Sequence, residues 1–193
     1  TGTTPAISSS FAFSGSDTID TGDAVHDPDQ NRVILAFDPG KCFTIDCSGA
    51  TPTGATTQFQ ASNVYGPSIT YDTANDKVVI SYYDNDNSSY VSYIAGTVDG
   101  SSNAITFGTK TTTSSAQYQY SGYINLEFDT ANSQSVTFWT GSSTSPDNYG
   151  SYINTLTLSG TTVVVGALET AHAPAGSANA WNYNAMVYDP DTS

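Results

Sequence analysis

The sequence predicts an all-β protein, either a β-propeller or a propeller-like array of four-stranded antiparallel units. Three observations predict this fold class. One motif recurs along the 193 residues. Short runs rich in β-branched and aromatic residues alternate with clusters of Gly, Pro, Asn, Asp and Ser, as in strands joined by tight turns. No segment combines helical periodicity with helix caps, so almost no helix is expected.

The recurring motif is clearest at residues 69–84, which read ITYDTANDKVVISYYD. Related copies read AVHDPDQNRVILAFD at 24–38 and LEFDTANSQSVTFWT at 126–140, and another begins MVYDPDTS at 186–193. The anchor acids of the four copies lie 45, 57 and 60 residues apart, at Asp27, Asp72, Asp129 and Asp189. A period of roughly 40 to 60 residues built from short strands is typical of propellers and β arrays.

The recurrence divides this single β domain into units. From the N-terminus these are a partial unit 1–15, the units 16–64, 65–120 and 121–178, and a partial unit 179–193. Because the last copy is incomplete, the chain is interpreted as a fragment of a longer protein. In the clearest unit four strands are expected, at 68–71, 77–83, 90–98 and 104–112. One such sheet cannot bury both of its faces alone, so neighbouring units are expected to stack.

The charge balance excludes several partners. The chain carries 18 acidic and 4 basic residues, for a net charge of −14. Four cations cannot form a track along phosphates, so neither nucleic acid nor an anionic membrane is an expected partner. Only 11% of residues are charged, so the polar surface must come from Ser, Thr, Asn and Gly. That composition suits an extracellular or particle surface.

The anchor aspartates have two interpretations. An Asp at the start of a turn accepts hydrogen bonds from backbone N–H groups about two residues on, which makes it a turn-forming residue. A catalytic acid is usually needed only once, whereas this Asp recurs in every unit. We therefore expect Asp27, Asp72, Asp129 and Asp189 to be structural.

The repeat resembles tandem repeats in long structural proteins of marine tailed bacteriophages, which also occur in secreted proteins of marine bacteria. The resemblance is carried by Tyr71-Asp72, by 77–82, by Asp84, by GTVDG at 96–100 and by ITFGT at 105–109. The resemblance implies propeller-like modules on virion fibres, tails or capsid attachments. It also implies other virion proteins, further copies of the chain and a host surface glycan as partners, and it brings no catalytic residues.

The leading functional expectation is therefore a non-enzymatic virion structural protein, located on the particle or outside the cell. The alternative is a secreted carbohydrate-binding propeller or adhesin. A third candidate, a propeller glycosidase, would require a pair of carboxylates that the sequence does not single out. Glu127 alternates with Leu126 and Phe128 and is expected to face outward. His26 and His172 lie in no recognisable catalytic context.

Two cysteines lie five residues apart, at Cys42 and Cys47. Outside the cell they could form a disulfide across a tight hairpin. Two free, buried thiols are the equally weighted alternative. A zinc site is not expected, because His26 is the only histidine nearby and a structural site needs four ligands.

Two binding sites are considered beside their structural alternatives. Asp84, Asp86 and Ser88 present oxygen atoms at alternate positions, as in a calcium loop, but the loop lacks the usual Gly and distal Glu, so a solvated turn is the default. A sugar-stacking surface could be formed by aromatic residues of the third and fourth units, namely Tyr149, Tyr152, Trp181 and Tyr183. Packing between units is the expected role of Trp139.

Overall fold

The computed structural model describes residues 19–49, 51–61, 63–113, 124–142, 149–172, 186–187 and 189. This part of the chain is all-β, which confirms that part of the predicted fold class. Its strands form three antiparallel sheets, each built from strands that are consecutive in sequence. The only helical element within these ranges is a 3₁₀ turn, Asn85–Asn87.

The first sheet has the strand order β1-β2-β3-β4. Its strands are β1 (Gly22–Asp27), β2 (Arg32–Phe37), β3 (Lys41–Asp46) and β4 (Thr53–Gln58). The second sheet has the order β5-β6-β7-β8, with β9 also paired to β7. Its strands are β5 (Val64–Asp72), β6 (Lys77–Asp84), β7 (Tyr90–Val98), β8 (Ile105–Phe107) and β9 (Thr111–Thr112).

The third sheet repeats this arrangement, with the order β10-β11-β12-β13 and with β14 paired to β12. Its strands are β10 (Ile124–Asp129), β11 (Gln134–Ser142), β12 (Tyr149–Ser159), β13 (Thr162–Val165) and β14 (Glu169–His172). In all three sheets a short turn joins the first two strands, and the anchor Asp is the last residue of the first strand.

The second sheet lies between the other two and is covered on both faces. Strand β6 shows this directly, because every residue from Val78 to Asp84 is buried. Successive side chains of a strand point to opposite faces. Accordingly Val78, Ile80 and Tyr82 belong to the core against the first sheet, whereas Val79 and Tyr83 belong to the core against the third. The run of β-branched and aromatic residues that marks this repeat is thus a strand with two apolar faces.

Two hydrophobic cores result from this stacking. The core between the first and second sheets joins Ile34, Ala36 and Cys42 to residues of β5, β6, β7 and β8. The core between the second and third sheets packs β6 and β7 against Ile124, Leu126, Trp139, Tyr152, Leu156 and Val163. Tyr83 ties the second core together, since its hydroxyl donates a hydrogen bond to the Thr140 carbonyl at 3.1 Å. Trp139 is fully buried, which confirms its predicted packing role.

The first strands of the three sheets pack in series, β1 against β5 and β5 against β10. Polar contacts reinforce the first of these junctions. Asp23 accepts hydrogen bonds from the Ser68 hydroxyl at 2.8 Å and from the Ile69 backbone N–H at 3.1 Å. Outer strands also meet, because the Thr111 hydroxyl donates to the Val163 carbonyl at 2.9 Å.

One predicted strand is divided in the structure. The run at 104–112 forms β8 and β9, both paired with β7, rather than one strand. At the break, the Gly108 backbone N–H bonds to the Ala95 carbonyl at 2.9 Å. A Cβ on Gly108 would come within 2.3 Å of the Thr161 carbonyl oxygen, so the chain approaches the third sheet more closely than another residue allows. Two residues later, Lys110 pairs with buried Asp84.

Replacing Ile80 with alanine tests the double-sided packing of β6. Ile80 is fully buried, so I80A should lower the free energy of unfolding by about 2 to 5 kcal/mol through lost burial and an unfilled cavity. The matched control is V164A, because Val164 is 50% exposed and should change stability by less than about 0.5 kcal/mol. Urea unfolding monitored by tryptophan fluorescence measures both, and equal losses would contradict the described burial.

Candidate functional site: the hairpin-turn rim

The strongest concentration of functional groups is the rim formed by the turns between the first two strands of each sheet. In each turn, one carboxylate oxygen of Asp27, Asp72 or Asp129 accepts the backbone N–H groups two and three residues on, at 2.9 to 3.2 Å. This confirms that these three acids form turns. Asp189 is exposed, and the residues that would form its turn lie outside the described part.

The fifth residue of each turn adopts the left-handed conformation. Its φ is 51° at Asn31, 55° at Asp76 and 53° at Ser133. Asn and Asp tolerate this region better than most residues, which accounts for their use at two of the three positions. The turns therefore share one geometry although their sequences differ.

The first residue of the second strand in each sheet also stabilises the turn, by hydrogen bonds from its side chain. The Arg32 guanidinium donates to the Gln30 carbonyl at 2.7 Å, and the Lys77 ammonium donates to the Asn75 carbonyl at 3.0 Å. In the third sheet Gln134 takes this place and reaches a carboxylate oxygen of Asp129 at 3.5 Å. Sequence reasoning missed this role. The sequence signal for this role is that Arg32 and Lys77, two of only four basic residues, occupy the same position of the repeat.

Arg32 also joins the first sheet to the second. Its guanidinium pairs with Asp46 at 3.1 Å and donates to Asn103 Oδ1 at 2.7 Å and to the Gly100 carbonyl at 2.8 Å. Hydrogen bonds from Ser48, followed by the charge of Arg32, lower the pKa of Asp46. One cation thus connects the rim turn of the first sheet to the turn between β7 and β8 of the second.

A cluster of carboxyl groups lies at the same junction. The Tyr71 hydroxyl donates to Asp29 at 3.1 Å, and Asp76 lies beside Asp29. A hydrogen bond with Asp29 and repulsion from its charge raise the pKa of Asp76. Burial, followed by the nearby charge of Asp27, raises the pKa of Tyr71. The turns of two neighbouring sheets thus bring the carboxyl groups of Asp29 and Asp76 together.

The proposed calcium loop has its acids in different environments. Asp84 is fully buried and forms an ion pair with Lys110. Asp86 is exposed and accepts a hydrogen bond from the Asn63 side chain at 2.6 Å. Ser88 is also exposed, in the left-handed conformation. Within the described ranges, no three His, Cys, Asp or Glu side chains are placed to hold a metal ion.

The sugar-stacking prediction is wrong for Tyr152. This residue is only 3% exposed, and its ring lies 5.9 Å from the Trp139 ring, centroid to centroid. The two residues are cross-strand partners that face the second sheet, so Tyr152 cannot offer a face to a sugar. The side chain of Tyr149 and the whole of Trp181 and Tyr183 lie outside the described part.

The predicted disulfide is contradicted, because both thiols are free. Cys42 lies within β3 and Cys47 directly after it, so the two follow one extended strand rather than facing each other across a hairpin. Five extended residues span about 16 Å. A disulfide needs Cα atoms roughly 4.4 to 6.8 Å apart. Cys42 is buried in the first core, and this burial raises the pKa of its thiol, whereas Cys47 is exposed.

The remaining candidate acids and bases are dispersed. His26 is exposed on β1, where its ring lies 3.2 Å from the side-chain oxygen of Asn31. Glu127 points away from the core that contains Leu126, as predicted, and is half-buried. Burial, together with the charge of Asp23, raises the pKa of Glu127. The side chain of His172 lies outside the described part.

No protein-family model, curated protein or solved structure matches this chain. Across the residues that the structure describes, no helix has the length and apolar character needed to cross a membrane.

Substitutions at Asp72 test the turn mechanism. D72A removes the acceptor for the Ala74 and Asn75 backbone N–H groups and should lower the free energy of unfolding by about 1 to 3 kcal/mol. D72N keeps a side-chain oxygen and should lose less than half as much. Chemical denaturation measures both variants. If D72N and D72A are equally destabilised, the charge rather than the turn geometry is what matters at this position.

The pKa shifts of Asp76 in the carboxyl cluster and of Asp99 in another turn predict that stability changes with pH in opposite directions at the two residues. Because the folded-state pKa of Asp76 is raised, the fold favours the protonated form of this carboxyl. The stability that Asp76 contributes is therefore lost as the pH rises through that pKa. D76N removes the repulsion from Asp29, so it should be more stable than the native protein at neutral pH. This gain should disappear at acidic pH, where Asp76 is protonated.

Asp99 supplies the control. Hydrogen bonds from Ser101 and Ser102 lower its pKa to about 2. Asp99 therefore contributes stability above its unfolded pKa, and this contribution is lost as the pH falls toward about 2. D99N should be less stable than the native protein at neutral pH and equally stable in strong acid. Thermal melts across the acidic range measure both variants, and pH-independent differences would contradict the assignment.

Proposed function

We propose that this chain is a non-enzymatic structural module of a virion surface, in a fibre, tail or capsid-attached position. The proposal rests on the resemblance of the repeat at 69–109 to virion structural repeats and on the way the repeats are used. A structural array needs many equivalent units, each contributing the same packing and the same turns.

The observation that carries the proposal is the uniform role of the anchor acids. Asp27, Asp72 and Asp129 bind backbone N–H groups in the same way in three sheets. A catalytic site is built from residues that converge on one place, whereas these acids each serve their own turn. The most regular feature of the sequence thus supports architecture rather than chemistry.

We also propose that the sheets are arranged as the blades of a propeller-like array. Each sheet is an antiparallel meander, and the first strands β1, β5 and β10 pack in series. Asp23 of β1 contacts β5, and its charge also acts on Glu127 of β10. These contacts support a shared axis lined by first strands, which is the geometry of propeller blades.

The surface suits a densely populated particle. Exposed turns are rich in Asp, Asn, Ser and Thr, and the net charge of −14 makes neighbouring particles repel each other. For the adhesin alternative, the burial of Tyr152 removes one of the four aromatic residues that would have formed the sugar surface.

Density-gradient sedimentation of the native source material tests the proposed function. The chain, followed by mass spectrometry, should travel with DNA-filled particles in a fixed ratio to the other particle proteins. Nuclease-treated lysate without particles is the control for trapping. If the chain stays in the soluble or cell-surface fraction, the virion assignment is wrong. Specific binding of the purified chain to a glycan array would then favour the adhesin.

A further inference from the structure

Buried polar side chains are concentrated at the junction between the second and third sheets. Among the residues that the structure describes, ten buried side-chain nitrogen and oxygen atoms have no hydrogen-bond partner within the protein. Six of the ten belong to side chains that face this junction, namely Ser81, Tyr93, Thr137, Trp139, Tyr152 and Asn154. Each of these six residues is at most 3% exposed, so bulk solvent does not reach their polar atoms.

Strand pairing gathers four of these side chains on the third sheet. On β11 and β12, Thr137 pairs with Asn154 and Trp139 pairs with Tyr152. Directly paired residues lie on the same face of a sheet, and residues two apart along a strand are neighbours on that face. The four side chains therefore form one block. This block faces the second sheet, because Trp139 and Tyr152 belong to the core between the two sheets.

The second sheet supplies the facing pair. Ser81 of β6 pairs with Tyr93 of β7, and Tyr93 belongs to the same core as Trp139. Burial raises the pKa of the Tyr93 phenol, and an opposing effect of the Thr137 hydroxyl on this pKa shows that the two groups lie close together. Neither hydroxyl makes a hydrogen bond of good geometry. Polar atoms of the two sheets thus approach one another across the junction.

The chemistry of the six atoms favours water as their ligand. Trp139 Nε1 is only a donor, the carbonyl oxygen of an Asn side chain is only an acceptor, and the four hydroxyls both donate and accept. The amide nitrogen of Asn154 donates to the Gly166 and Ala167 carbonyls at 3.1 and 3.0 Å, which fixes the orientation of this amide. Water donates and accepts, and it is small enough to be enclosed between packed sheets. It can therefore join the Trp139 donor to the Asn154 acceptor.

The cost of leaving these atoms without partners points the same way. A buried donor or acceptor without a partner loses the hydrogen bonds that it makes with water in the unfolded chain. Six such losses at one junction would rival the whole stability of a typical domain. A buried water makes about three hydrogen bonds to groups of this kind, so a few enclosed waters are enough to satisfy all six atoms.

We propose that the second and third sheets enclose a water-binding site, in which ordered water molecules form hydrogen bonds with Ser81, Tyr93, Thr137, Trp139, Tyr152 and Asn154. Beside Ser81 on the same face, Tyr83 already bonds directly to the Thr140 carbonyl across the junction. The waters extend this direct contact and connect two sheets that meet through hydroxyl groups as well as apolar side chains. The inference does not rest on the proposed function.

A crystal structure of the native chain, at a resolution that shows individual waters, tests the site directly. We expect at least one ordered water within hydrogen-bond distance of two or more of the six atoms. A junction in which no water bonds two of these atoms would overturn the proposal, whether the atoms bond to other protein groups or a different molecule lies between the sheets.

The substitution Y152F tests the site in solution and preserves the shape of the side chain. If water binds the Tyr152 hydroxyl, removing the hydroxyl breaks a hydrogen bond, and the equilibrium constant for unfolding should rise by about fivefold. If the hydroxyl has no partner, its removal should leave stability unchanged or increase it. The control Y90F removes the hydroxyl of a half-buried tyrosine of β7 and should change this constant by less than about twofold. Urea unfolding measures both variants, and an effect of Y152F no larger than that of Y90F would overturn the proposal.

Discussion

The structure depends on one constraint, namely that a β-sheet with two apolar faces must be covered on both. The second sheet satisfies it completely, because β6 buries alternate side chains in two different cores. The packing of the other two sheets follows from the need to cover these two faces. The first and third sheets pack on either side of the second. Short links between strands make each sheet a meander of consecutive strands, so the sheets are joined mainly by packing one on another.

Few charges are available, and the chain uses them at junctions. Arg32 connects a turn of the first sheet to the second, and Lys110 neutralises Asp84 beneath the surface of the second. The acids work mainly as hydrogen-bond acceptors for turn backbones, which need no counter-charge. A protein with a net charge of −14 can therefore hold Asp27 and Asp72 in hairpin turns although both are buried, each at 1% exposure. The exception is the Asp29–Asp76 pair, where two turns bring acids together and the pKa of Asp76 rises.

The errors of prediction concern the direction in which side chains point. Tyr152 was assigned to a sugar surface because it follows a polar loop, but its position in the register with Trp139 directs it into the core. A disulfide across a hairpin was one of two equally weighted expectations for Cys42 and Cys47, but the two residues follow one strand. Asp84 stands in an oxygen-rich loop sequence, yet its carboxylate pairs with Lys110, 26 residues away in sequence. For Tyr152 and for the two cysteines, the position along the strand decided a facing direction that the local pattern left open.

The sequence by itself determined the all-β class, the repeat and the turn-forming role of Asp27, Asp72 and Asp129, because these depend on local chemistry. Alternation, turn residues and an Asp that binds the next backbone N–H groups all act within a few residues. Only the tertiary structure decided which face of each strand is covered, which acids meet between turns and where the few cations go. Those outcomes depend on contacts between residues far apart in sequence, such as Tyr71 with Asp29 and Arg32 with Gly100. A one-residue change in strand register moves every side chain of the strand to the opposite face, so the covered face cannot be read from the local sequence pattern.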